Sequence, residues 1–186
     1  MKYVLTQNKI NIGNKTLYQI KALENFGEIK AGDLGGFIES YENLSQYDSA
    51  WIFDNAKVFS NAKIYDNALV SGDAVVSGNA FISGNANVSD KAIITGNAKV
   101  FGYAKISGEA FVSGSAQVSG DARVYYDAWV SGNARVSGNA WVFGNAKVFG
   151  NAKVSGNASV SGNAKVFDTA IVSDNAKVYG NTIIDK

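Results

Sequence analysis

Along most of this chain the hydrophobic pattern keeps a six-residue beat. From Ile52 to Ile184 every sixth position is Val or Ile, twenty-three in succession without an insertion. Ala stands two residues before each of them, from Ala50 to Ala176, and Thr182 ends that series. One unit reads Ala-x-Val-Ser-Gly-Asn, as in "AKVFGNAKVSGNASVSGNAKVF" at residues 146–167. A helical period of about 3.6 cannot hold this register, and the density of Gly, Asn and Val also opposes a helix. In extended chain the pattern is consistent: side chains alternate, so Ala and Val share one face and the two x residues take the other. Gly-Asn then supplies a corner, because both residues tolerate positive φ.

Three units, each a short strand and a corner, close a triangle. The beat therefore predicts an all-β protein, a triangular parallel β-helix with 18 residues per coil and about 7–8 coils over residues 50–186. Successive coils would pair strand on strand about 4.8 Å apart, with valines in an internal ladder and alanine in the cramped space near each corner. Burying each valine contributes roughly 1.5 kcal/mol, largely offset by chain ordering, so stability accumulates from coil to coil.

Before Ala50 the beat is absent. "YVLT", "KINI" and "TLYQIKAL" read as short strands, with "GNK" at residues 13–15 as a hairpin turn. "FGEIKAGDLGGFIES" continues with glycine-marked bends. The "GDLGGF" run at residues 32–37 has no Lys-Ser/Thr or helix after it, so it predicts a turn rather than a phosphate loop. A solenoid end exposes core valines and unpaired strand edges. Residues 1–49 are accordingly expected to form a small β-rich cap on a repeat domain of residues 50–186.

The pairs Val118 with Ala122 and Val136 with Ala140 place a small residue four positions after an aliphatic one. This pattern resembles the hexapeptide-repeat left-handed β-helix family, the trimeric LpxA-like fold, and the resemblance implies the left hand, which the spacing alone does not. The stretch "LYQIKAL…GEIKAGDLGGFIES…NLSQ…AW" also resembles the opening of hexapeptide-repeat proteins of bacteriophages and bacteria labelled acetyltransferases. Enzymes of that family use a histidine as general base and a loop between coils to shape the acceptor site. This chain has no histidine and no insertion in its beat, and nothing beside Glu109 marks it as a general base. The expectation is a protein without catalytic residues, cofactor or metal; an acetyl-CoA-dependent acyltransferase is the alternative.

Composition narrows the rest. Seventeen basic and sixteen acidic residues nearly cancel, so no overall field draws the chain to nucleic acid or an anionic membrane. With no cysteine there is neither disulfide framework nor thiolate chemistry. No apolar run resembles a signal peptide or a membrane span, and a cytoplasmic location in a bacterial or phage-infected cell is the expectation.

Sorting the outward positions by 18 gives three flat faces. The first carries Trp51, Leu69, Asn87, Lys105, Arg123, Trp141, Ser159 and Lys177. The second carries Lys57, Val75, Ile93, Phe111, Trp129, Lys147, Lys165 and Ile183. On this second face Val75, Ile93, Phe111 and Trp129 form an apolar stripe on four successive coils, flanked by lysines, which reads as a binding surface. Two alternatives stay open: the cap could fold along this face, or outward aromatic and β-branched residues could simply favour strands. Arg123, Tyr125, Trp141 and Phe143 make a second candidate cluster, equally readable as a cross-strand stack. The corner residues Asp54, Asp73, Asp90, Glu109 and Asp127 read as a solvated corner rather than a calcium ladder.

The functional expectation is a non-catalytic scaffold presenting a rigid face to an unidentified protein partner, including a phage-encoded accessory that binds or inhibits a host or defence protein. Ile183 and Ile184 follow the last corner directly, which favours an end-to-end homodimer over a trimer; a structural spacer stacking through that end is the third reading.

Overall fold

A computed structural model describes residues 1–186. Three strands come first, β1 (Tyr3–Ile12), β2 (Lys15–Ala22) and β3 (Leu34–Ile38). Twenty-three two-residue strands follow, β4 (Trp51–Ile52) to β26 (Ile183–Ile184), each starting six residues after the one before. They pair in parallel at an offset of three strands: Ile93 lies between Val75 and Phe111, and Lys99 between Phe81 and Gln117. The chain is thus an all-β parallel solenoid with 18 residues per coil and sheets of 11, 8 and 7 strands. Its only helical element is a single 3₁₀ turn at Tyr41–Asn43.

Both inward positions of the unit are buried as the alternation predicts. Every alanine from Ala50 to Ala170 and every aliphatic residue from Ile52 to Val166 is without solvent exposure. The corner differs from expectation in one respect. Only its first residue takes the left-handed conformation, as at Gly72 and Gly78 with φ of 67° and 68°, while the following Asn or Asp does not. Glycine serves there for a second reason: a Cβ on Gly78 would come within 2.8 Å of the Gly96 nitrogen one coil on. At three corners where Asp replaces it, the side chain compensates. The Oδ2 atoms of Asp54, Asp66 and Asp90 accept hydrogen bonds from the N–H groups of Gly72, Gly84 and Gly108 at 3.0, 2.8 and 2.9 Å.

"YVLT" and "KINI" merge into the single strand β1, with an irregularity in its pairing to β2 between Leu5 and Lys9. β2 pairs antiparallel with β3, and β3 runs parallel to β5 through Phe37–Lys57 and Ile38–Val58. The hairpin therefore continues the 11-stranded sheet from strand to strand. The Gly-rich run also departs from the turn expected of it. Gly35 and Gly36 lie inside β3, where a Cβ would meet the Ile52 carbonyl at 2.5 Å and the Ala56 carbonyl at 2.6 Å. Those glycines allow close approach to the first coil; the turn is confined to Ala31 and Gly32.

Trp51 departs from expectation as well. Its position in the unit is outward, yet it is only 1% exposed, because Phe26 and Tyr3 close over it with ring centroids at 5.3 and 6.2 Å. Around it the N-terminal region is tied down by polar groups. The Lys2 ammonium donates to the carbonyls of Ala50, Tyr47 and Asp48 at 2.9, 3.2 and 3.3 Å. The buried Asn43 amide donates to the carbonyls of Ser60 and Ala62, both at 2.9 Å.

Candidate functional site

Because coils stack in register, each outward position forms a file up one side of the solenoid. On the 11-stranded sheet Val75, Ile93, Phe111 and Trp129 occupy one file on consecutive paired strands. Ile93 and Trp129 are 38% and 44% exposed, while Val75 and Phe111 are half-buried by their neighbours. The Phe111 and Trp129 rings meet edge to face at 5.1 Å, and the Lys147 ammonium sits 5.4 Å from the Trp129 ring centre. Lys57 stands at the other end of the file, next to Val75. Since the N-terminal strands extend this sheet edgewise, the exposure of Ile93 and Trp129 survives their presence.

The second cluster lies on the eight-stranded sheet. Tyr125 and Phe143 stack with centroids 5.0 Å apart and planes 5° from parallel, and Tyr125 meets the Trp141 ring edge on at 6.4 Å. The Arg123 guanidinium lies 5.2 Å from the Trp141 ring centre. Desolvation by burial raises the Tyr125 pKa above its ordinary value. On one flank of this cluster the surface falls away into an open groove of about 640 Å³, lined by Trp141, Phe143, Ser159, Ser161, Lys177, Tyr179 and two corner asparagines. Ser159, Ser161 and Tyr179 were missed in reading the sequence for function. Writing the chain in rows of 18 would have found them, as two serines in one row between rows of large residues.

The acidic corner holds no cluster of three or more carboxylates. Asp54 and Asp90 turn onto backbone N–H groups and Glu109 pairs with Lys91 at 3.2 Å, so these side chains serve the corner itself. Asparagines ladder along the corners in the same way, as in Asn61–Asn79 and Asn79–Asn97, both at 2.9 Å. At the far end Ile183 is exposed and Ile184 half-buried, paired with Lys165 and Val166.

A β-solenoid repeat is also what comparison with known proteins finds. A family model described as the YdcK β-solenoid repeat matches residues 62–78, 116–132 and 128–144. No curated protein matches the chain. The chain is a β-solenoid repeat protein, and the matched segments contain Arg123, Tyr125, Trp141 and Phe143 together with Val75 and Trp129 of the apolar file.

Proposed function

We propose that this solenoid is a non-catalytic scaffold that docks a protein partner on the file Val75, Ile93, Phe111 and Trp129. The observation that carries the reading is the contiguity of that file: four apolar residues on paired neighbouring strands, with lysines beyond both ends. Contiguous exposed apolar surface is characteristic of interaction sites, and an aromatic anchor framed by charge is the usual form of an interface centre. A scaffold of short paired strands presents such a surface without reorganising, which limits the ordering cost of association. The Arg123, Tyr125, Trp141 and Phe143 cluster provides a second contact area on the adjoining side.

The absence of histidine and cysteine from the sequence favours binding over acyl transfer. The resemblance of residues 17–51 to phage-encoded hexapeptide-repeat proteins favours a host or defence protein as the target. A second copy of the chain lying side by side is the other occupant this surface would accept; an end-to-end copy would instead cover Ile183 and Ile184.

The test replaces Phe111 and Trp129 together by serine. Partner capture from the native host, or self-association in light scattering, should disappear while the β-sheet circular dichroism spectrum is retained. Unchanged capture and unchanged mass would overturn the proposal. A saturable rise in melting temperature with acetyl-CoA would instead support the acyltransferase reading.

A further inference from the structure

The groove on the eight-stranded sheet has the form of a missing ring. Up one file run Tyr125, Phe143, Ser161 and Tyr179, each directly after a strand, and those strands pair in that order. In the neighbouring file Trp141 and Lys177 stand on either side of Ser159. One coil thus presents two serines between two coils of large side chains. With coils about 4.8 Å apart, Phe143 and Tyr179 project from strands about 9.6 Å apart along the axis. A ring inserted midway would lie about 4.8 Å from each. The protein's own stacks use that separation, 5.0 Å for Tyr125–Phe143 and 4.8 Å for Phe149–Phe167.

The seven-stranded sheet supplies an internal comparison. There Ser83 lies between Tyr65 and Phe101 in one file, a gap of the same height. The coil there brings a ring of its own: Phe81, on the same coil as Ser83, stacks on Tyr65 at 5.6 Å with planes 22° apart. The position equivalent to Phe81 on the open coil is Ser159, which has no ring to offer. One serine coil thus supplies a ring to the coil before it, and the other supplies none.

The lining also has a sign. Lys177 is its one charged residue, and no carboxylate lines the groove. A ring entering here is best accompanied by an anionic group. The groove is open to solvent, whereas small-molecule sites enclose most of their ligand's surface. A ring carried on a protein face has the rest of that face to hold it in place.

We infer that this slot receives one aromatic side chain of a protein partner, flanked in the partner by Asp or Glu. The inference rests on the partner-binding reading above and adds the chemistry of the partner's anchor. The test titrates the ¹⁵N-labelled full chain with the blocked peptides Glu-Trp-Glu, Lys-Trp-Lys and Glu-Ala-Glu. Glu-Trp-Glu should give saturable, ring-current-type shifts centred on the Ser159 and Ser161 amides. Lys-Trp-Lys should bind at least threefold more weakly, and Glu-Ala-Glu should leave those amides unmoved. Ser161→Phe should complete the ladder, raise the melting temperature and abolish the peptide shifts; Ser159→Trp serves the same purpose should the first variant fold poorly. Lys177→Gln should remove the preference for the acidic peptide. Absence of saturable shifts in the native chain, or their persistence in a folded slot-filling variant, overturns the inference. Tighter binding of indole-3-acetate than of Glu-Trp-Glu would also overturn it, by assigning the slot to a free aromatic acid. The Phe111 and Trp129 serine variant should still bind Glu-Trp-Glu, so failure at the slot and failure at the apolar file are read separately.

Discussion

In the coils each buried valine sits among valines and alanines of the neighbouring coils, in surroundings repeated many times over. Where the N-terminal region meets the first coil, the buried Trp51, Tyr3, Lys2 and Asn43 each occupy a place that occurs once. The coils distribute their stabilisation over many equal contacts, whereas the N-terminal region concentrates it in a few large or polar side chains. Damage should therefore be tolerated in the first and felt sharply in the second.

The widest gap is expected between Trp51→Ala and Val130→Ala. The tryptophan truncation should cost about 3–5 kcal/mol and the mid-coil valine roughly 2, in urea unfolding followed by fluorescence and circular dichroism. Equal losses would break the contrast. Asn43→Ala comes next, at about 2–3 kcal/mol, because it strips the Ser60 and Ala62 carbonyls of their side-chain donor in a buried site.

Lys2 gives the comparison a pH axis. Desolvation by burial lowers its pKa from an ordinary 10.5 to about 8, against the opposing pull of Asp48 and Glu24. The unfolded chain then binds the proton that the folded chain has released, so stability should rise with pH from about 8 toward 10. Above 10 the gain should reverse, because burial raises the Tyr3 pKa above its ordinary 10.0 and the unfolded phenol ionises first. Glu39 works at the acid end: its hydrogen bonds from Lys15 and the Ser60 N–H lower its pKa, so its contribution is present above 4.5 and lost as pH falls. Thermal melts of native protein and Lys2→Met across this range should differ in slope between pH 8 and 10; parallel curves would remove Lys2 from the account.

The smallest effect belongs to the corners. Asp90→Ala should cost about 1 kcal/mol, from a left-handed residue without a favourable side chain and a lost bond to the Gly108 N–H. Asp90→Gly should cost less than that, since glycine relieves the backbone. The reverse order in paired melts would mean that backbone conformation does not govern this position.

How far the sequence could be read follows the same division. The coils were legible because one local rule, inward Ala and an aliphatic residue followed by a left-handed corner that is most often glycine, recurs from unit to unit and needs no distant partner. The apolar file was legible for the same reason, as a sum of 18-residue steps. Trp51 was misread because its burial depends on Phe26 and Tyr3, which no periodicity connects to it. Gly35 and Gly36 were misread because glycine marks both turns and close backbone approach, and only the packed Ile52 and Ala56 carbonyls decide between them. The slot escaped notice because it is defined by what Ser159 and Ser161 lack, and a lack has meaning only beside its spatial neighbours.

The interchangeability of the coils has a consequence for how the chain finds its winding. Displace the thread by one unit and every valine still lands inside, but each exterior column is transferred to the adjacent side of the prism. Little within the tube penalises that error. Trp51 beneath Phe26, and Asn43 beside Ser60 and Ala62, act as the index mark from which the count begins, so an error at the start would scramble every surface downstream while leaving the barrel of aliphatic residues intact.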